Sequence, residues 1–225
     1  MKKLFLMIVV LTTCLSATGF MFENAAEENC NERVFNIDDL YDYQKDFKSE
    51  EITVCAGNST KTYMDYRATT ARDSKQYWFI HDEMTVDEQT GFLYDCDGFI
   101  GVALGSFYGE IGDRYYFTLE TGVVLPLVKC EEKADSDTDA MGCYHTSDYS
   151  VIECVIDKDC ALSYFGRLSN DYVLNGNYNN YSLFNGQIVK VEKVLPEKND
   201  KYVTFSKKQN VGTINYDIFE YASGY

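Results

Sequence analysis

The chain has 225 residues, of which 45% are hydrophobic and 15% aromatic, enough apolar material for a true core and too much for a disordered chain. Its 36 acidic and 20 basic side chains give a formal net charge of −16. A surface of that sign repels phosphate backbones and anionic lipid, so nucleic acid is excluded as a partner.

Residues 1–19 read as a signal peptide. Lys2 and Lys3 form a positive start, residues 4–11 are an unbroken apolar run, and Ala17 and Gly19 are spaced for cleavage before Phe20. A lipoprotein signal ending at Cys14 ranks second, because Thr13 is an unusual residue before a lipidated cysteine. The run is too short to span a bilayer and no other stretch is apolar enough, so no stable membrane insertion is expected. The protein is expected to be secreted or held at the cell surface.

Residues 20–60 form an acidic N-terminal extension, with a short helix expected within 37–47 and Asp38 or Asp39 as its cap. From residue 61 the signals are β. Aromatic and β-branched runs at 62–70, 76–81, 99–104, 114–120, 123–128, 150–156, 187–194, 202–206 and 214–220 are separated by turn residues. Glu120-Thr121-Gly122 predicts a tight hairpin. Pro126 predicts a sheet edge or a bulge, since proline gives the ladder no donor. Residues 159–186 combine a weakly helical stretch with an Asn/Gly/Tyr loop. Many short strands with little helical periodicity predict a mainly β protein built as a small barrel or sandwich.

Loss of the leader removes Cys14 and leaves Cys30, Cys55, Cys96, Cys130, Cys143, Cys154 and Cys160. In an exported protein these predict up to three disulfides, with one thiol left over or paired between chains. No C-x-x-C pair occurs, and His81 and His145 lie far apart, so no zinc site is expected. Asp135, Asp137 and Asp139 occupy alternate positions as in a calcium loop. Ala140 stands where the sharp turn needs Gly, however, and Thr146 where the cage needs a bidentate Glu. No metal or other cofactor is expected.

The stretch "FIGVALGSFYGEIGDRYYFTLETGVVLPLVKCEEKADSDTD", continued by "GCYHTSDYSVIECVID", resembles secreted bacterial double-psi β-barrels. The likeness is to the three-aspartate (3D) domains of cell-wall-active proteins, relatives of the barrel in lytic murein transglycosylase A. It rests on "YRATT", the Gly112-Asp113 turn before a strand, the Glu-Thr-Gly hairpin, the turn at Ala134-Asp135 and the acidic strand residue in Ser150-Val-Ile-Glu153. It covers 62–157, with the strand at 187–193 closing the same barrel. The resemblance implies a six-stranded double-psi barrel over 61–193 and a C-terminal β extension over 194–225. It also implies peptidoglycan glycan strands as the substrate and a lytic-transglycosylase-like activity. Asp135 corresponds to the family's middle aspartate, the acid, and Glu153 stands where the family has its last. The first falls near Ala103 and is absent.

Such an activity needs one carboxyl that is protonated near neutral pH, to protonate the glycosidic oxygen and then act as a base. A free aspartate titrates at about 4, so burial or neighbouring negative charge must raise it. On an extended chain Asp137 and Asp139 share a face with Asp135, although an acidic run reads more simply as a solvated loop. Glu153 alternates with Val151 and Val155, which puts a carboxyl among core residues. His145 is expected to line the groove with Asp148 orienting it, whereas a Cys143/His145 thiol pair fits poorly within one loop of an exported protein. Tyr66, Thr69, Tyr108, Tyr115 and Tyr116 are candidates for a sugar-stacking floor. The alternative reading is a non-catalytic β-barrel module that binds glycan or a protein partner at the surface.

Overall fold

The β-branched and aromatic runs pair into one mixed sheet. The computed structural model describes residues 35–55, 60–166, 177–179 and 181–196. Its strands are β1 (Ser49–Ile52), β2 (Thr62–Asp65), β3 (Thr85–Val86), β4 (Leu93–Tyr94), β5 (Ile100–Leu104), β6 (Arg114–Leu119), β7 (Val124–Glu132), β8 (Glu153–Ile156) and β9 (Ile188–Val194). They run in the order β1-β9-β6-β7-β5-β4-β3, with β8 also on β5 and β2 on β8. The protein is mainly β, as its sequence predicts. Among the described residues no ladder joins β1 to β2 or β3, so the sheet stays open and does not close into the expected barrel ring.

β5 is the branch point. Ile100 pairs with Tyr94 on β4, Val102 and Ala103 pair with Cys154 and Glu153 on β8, and the opposite edge takes β7 in parallel. All five of its residues are buried, as expected of a strand covered on both faces. One face packs Val102, Leu104, Phe117, Leu127 and Ile156 against an aromatic group of Phe92, Phe165, Tyr178 and Phe184. In that group Phe92 lies 5.2 Å from Tyr178 and 5.5 Å from Phe184, ring centre to ring centre. Each such side chain contributes about 1.5–3 kcal/mol by leaving water. The other face carries a smaller cluster of Ile80, Leu93, Ala103, Cys130 and Val155, edged by Met64 and Tyr66.

The β6/β7 hairpin forms where predicted. Gly122 takes φ +88°, a conformation that side chains resist, and its amide donates to the Leu119 carbonyl at 2.9 Å. Pro126 sits inside β7 opposite Tyr116. Lacking an N–H, it fits only a non-hydrogen-bonded pair, so its nitrogen faces the β5 side, where pairing begins one residue later at Leu127. The proline therefore behaves as an edge residue within an interior strand.

Elsewhere local chemistry overrides the strand signals. Residues 75–78 are helical (α1, Lys75–Trp78) and continue as a wide turn over Phe79–Glu83, because the Ser74 hydroxyl accepts the Tyr77 amide at 3.1 Å. β2 stops at Asp65, whose carboxylate caps a short turn at Tyr66–Ala68. The turn at Ile37–Asp42 is capped by Asn36, not by Asp38 or Asp39. α2 (Lys158–Tyr164) starts from Asp157, which accepts the Asp159 and Cys160 amides. β1 and the buried Ile37 and Leu40 belong to the expected N-terminal extension, yet β1 pairs with β9 and the two side chains enter the main core.

One disulfide is present among the described cysteines, Cys55–Cys143, while Cys130, Cys154 and Cys160 are thiols. Cys130 and Cys154 flank β5 but pack on opposite faces of the sheet, so they cannot bond to each other. The signal peptide, Cys30, most of the Asn/Gly/Tyr loop and the strands expected at 202–206 and 214–220 lie outside the described residues. No helix among the described residues is long and apolar enough to cross a membrane.

Candidate active site

Register brings two carboxylates into one row. Glu153, the first residue of β8, lies opposite Thr62 on β2 and opposite Ala103 on β5. Ala103 in turn lies opposite Glu131 on β7, because a bulge between Val102 and Ala103 makes the pairing skip Cys130. Thr62, Glu153, Ala103 and Glu131 thus form a line across four strands on the face of the smaller cluster. Strand spacing of about 4.8 Å puts the two glutamate Cα atoms about 10 Å apart, with only the Ala103 methyl between them.

Both carboxyl side chains are half-buried, with Glu153 26% exposed. Glu131 Oε2 accepts the Thr69 hydroxyl at 2.5 Å, and its Oε1 accepts the Glu132 amide at 2.9 Å. Lys133 Nζ stands 3.9 Å from Glu153 Oε2 and donates to the Ser150 carbonyl and hydroxyl, each at 3.1 Å. Burial pushes the Glu153 carboxyl above its ordinary value; Lys133 and His145 oppose the shift, and Asp148 and Glu131 add to it. Burial likewise pulls the Lys133 ammonium down, with Glu153, Asp148 and Cys154 opposing.

Ser150 ties the neighbouring loop to this row. Its carbonyl accepts the His145 amide at 2.9 Å, and its own amide donates to Asp148 Oδ1 at 2.8 Å. His145 Nδ1 lies 2.9 Å from the Ser147 hydroxyl and 3.7 Å from Asp148 Oδ1. Burial alone would raise the Asp148 carboxyl. The Ser150 amide and hydroxyl, with the charges of His145 and Lys133, instead hold it below its ordinary value. The only non-glycine residue with positive φ among those described, Tyr149 at 62°, lies between Asp148 and Ser150; its side chain is exposed.

The structure therefore gathers Glu153, His145, Asp148 and Thr69 and leaves out Asp135, Tyr108, Tyr115 and Tyr116. Asp135 is exposed on a turn closed by the Asp137 amide and the Ala134 carbonyl, and it is not among the charges that act most on Glu153. Asp139, its presumed tuning neighbour, instead accepts the Cys143 and Tyr144 amides at 2.6 and 3.2 Å and so shapes the loop. Tyr108 is 1% exposed and packs edge-on against Phe107 and Tyr115, so it is a core residue that no sugar can reach. Tyr115 and Tyr116 are buried in the same way. Tyr66 is half-buried, with the Arg67 guanidinium 4.9 Å from its ring centre and His81 at its edge.

Comparisons with known proteins add no family to this geometry. No family model matches the chain, nor does any curated protein or solved structure. The site stands on its own residues. Two of these, Glu131 and Lys133, escape the sequence reading, which ends β7 at residue 128 and treats 131–139 as an acidic loop. A lysine set into an acidic run was the available signal. A cleft of about 270 Å³ lies elsewhere, between Phe35, Asp39, Tyr43, Tyr94 and Asp97, and holds none of the residues in the row.

Proposed function

We propose that the chain is an exported, cell-wall-associated protein that acts on the glycan strands of peptidoglycan, with Glu153 as the acid. Export is supported by the leader-like N-terminus and by the Cys55–Cys143 disulfide, which an oxidising compartment would maintain. The observation that carries the chemistry is the half-buried Glu153 carboxyl, raised by burial and set beside the His145/Asp148 pair. A carboxyl of this kind holds its proton closer to neutral pH and can deliver it to a glycosidic oxygen. His145, Asp148 and Thr69 are then substrate-side polar groups. Asp135, the family-like acid, has none of the burial that Glu153 has.

Clearing of purified cell wall tests this reading. Wild type is expected to clear, Glu153→Gln to lose activity by about 100-fold or more, and Asp135→Asn to stay near wild type. Absence of clearing by folded wild-type protein contradicts the reading. A second reading, a non-catalytic module binding glycan or a surface protein, draws on Lys133, because an ammonium 3.9 Å from Glu153 is also the geometry of a structural ion pair. Cell-wall retention without clearing would favour that reading.

A further inference from the structure

We infer that Glu131 is a second reacting carboxylate, facing Glu153 across Ala103, and that the site therefore hydrolyses the glycosidic bond instead of closing the sugar on its own hydroxyl. This rests on the proposed glycan-cleaving role of Glu153 and extends it to the class of reaction. A single acid/base needs no partner at a fixed span. Here the partner is fixed by the backbone: Ala103 is paired with Glu131 on one side and with Glu153 on the other, so both side chains rise from the same face.

The span suits water. Two strand spacings separate the Cα atoms by about 10 Å, a span of the same order as the carboxyl separation of about 6.5–9.5 Å that leaves room for one water beside a sugar ring. The smallest chiral side chain lies between them; a leucine at Ala103 would fill the gap. Glu131 is also held in place, with one oxygen on the Thr69 hydroxyl and the other on the Glu132 amide. Thr69 is thus a positioning residue for Glu131. Glu153 feels Lys133 and His145 from the loop side, with Asp148 and Glu131 as the opposing negative charges.

In the step itself a water gives a proton to Glu131 as its oxygen bonds to the anomeric carbon. The bond from that carbon to the glycosidic oxygen breaks, its electron pair leaves with the oxygen, and that oxygen takes the proton of Glu153. One water is consumed, one reducing end and one free hydroxyl appear, and the two carboxyls exchange protonation states, which solvent then restores.

Digestion of purified peptidoglycan in heavy-oxygen water, with mass spectrometry of the new ends, tests the inference. Wild type should place one heavy oxygen at each new reducing end. Glu131→Gln should lower release by about 100-fold without a matching loss of melting temperature. Glu131→Ala, supplied with azide, should recover turnover as a glycosyl azide, a product that only a folded site can make. Anhydro ends without heavy oxygen, or wild-type rates in Glu131→Gln, overturn the role of Glu131 and leave that of Glu153 standing. No release by wild type overturns both.

Discussion

Two acidic regions of this chain differ in how they are held. The loop at 134–150 displays its aspartates from turns; Asp135 and Asp137 are exposed, and Asp139 is spent on backbone amides. The row at Glu153, Ala103 and Glu131 carries fewer charges, but each is set on a strand by register and half-buried. Density of acidic residues marks the first region in the sequence. Burial, which gives a carboxyl unusual chemistry, marks the second.

The contrast can be strained most by cutting the loop loose. Cys55–Cys143 joins residues 88 apart in sequence and anchors the loop near its middle. Replacing both cysteines with serine should cost about 2–5 kcal/mol in a denaturant melt. Amide exchange should quicken at His145 and Tyr144 before it does in β5 and β8. Equal loss of protection in loop and strands would mean that the two regions are not separately held.

A smaller effect separates the aspartates of the loop from each other. Asp139→Ala leaves two amides without their acceptor and should cost about 1–3 kcal/mol. Asp135→Ala should stay within about 0.5 kcal/mol of wild type. Similar costs for both would erase the distinction between a shaping and a solvated aspartate.

The smallest effect is read by its sign. A carboxyl raised on folding binds its proton more tightly in the folded state, so its contribution to stability is largest at low pH and is lost as pH rises through the window from the unfolded value of 4.5 upward. Asp148, held below its ordinary value, acts in the opposite sense: its contribution is present above the unfolded value of 3.8 and is lost as pH falls. Glu153→Gln should therefore melt higher than wild type near pH 7, and the gap should close towards pH 4. A gap that widens on acidification would mean that Glu153 is held as a stabilised carboxylate.

Much of the fold is legible in the sequence, where each element is decided locally. The runs at 99–104 and 114–120 and the Glu-Thr-Gly turn appear nearly as read, because alternation, β-branching and a glycine turn act within a few residues. The helix at 75–78 escapes because "QYWFIH" is too short to show a period, and the Ser74 cap outweighs the aromatic content. The alternation around Glu153 is a sound signal for a carboxyl among core residues. Its partner is not legible: Glu131 meets Ala103 only because β7 extends to residue 132 and skips Cys130 against β5, and a one-residue change of register turns a side chain to the other face. The burial of Tyr108 escapes for a related reason, since nothing local separates a core tyrosine from a groove tyrosine.

The central claim is that the strand-borne row, and not the acidic loop, holds the reactive carboxyl. Carbon-13 titration of the Glu153 side-chain carboxyl, in wild type and in Glu131→Gln, tests it without any substrate. A midpoint above the ordinary glutamate value of about 4.3 is expected in wild type, moving down when the Glu131 charge is removed. A midpoint at or below the ordinary value, or one indifferent to Glu131, would contradict it.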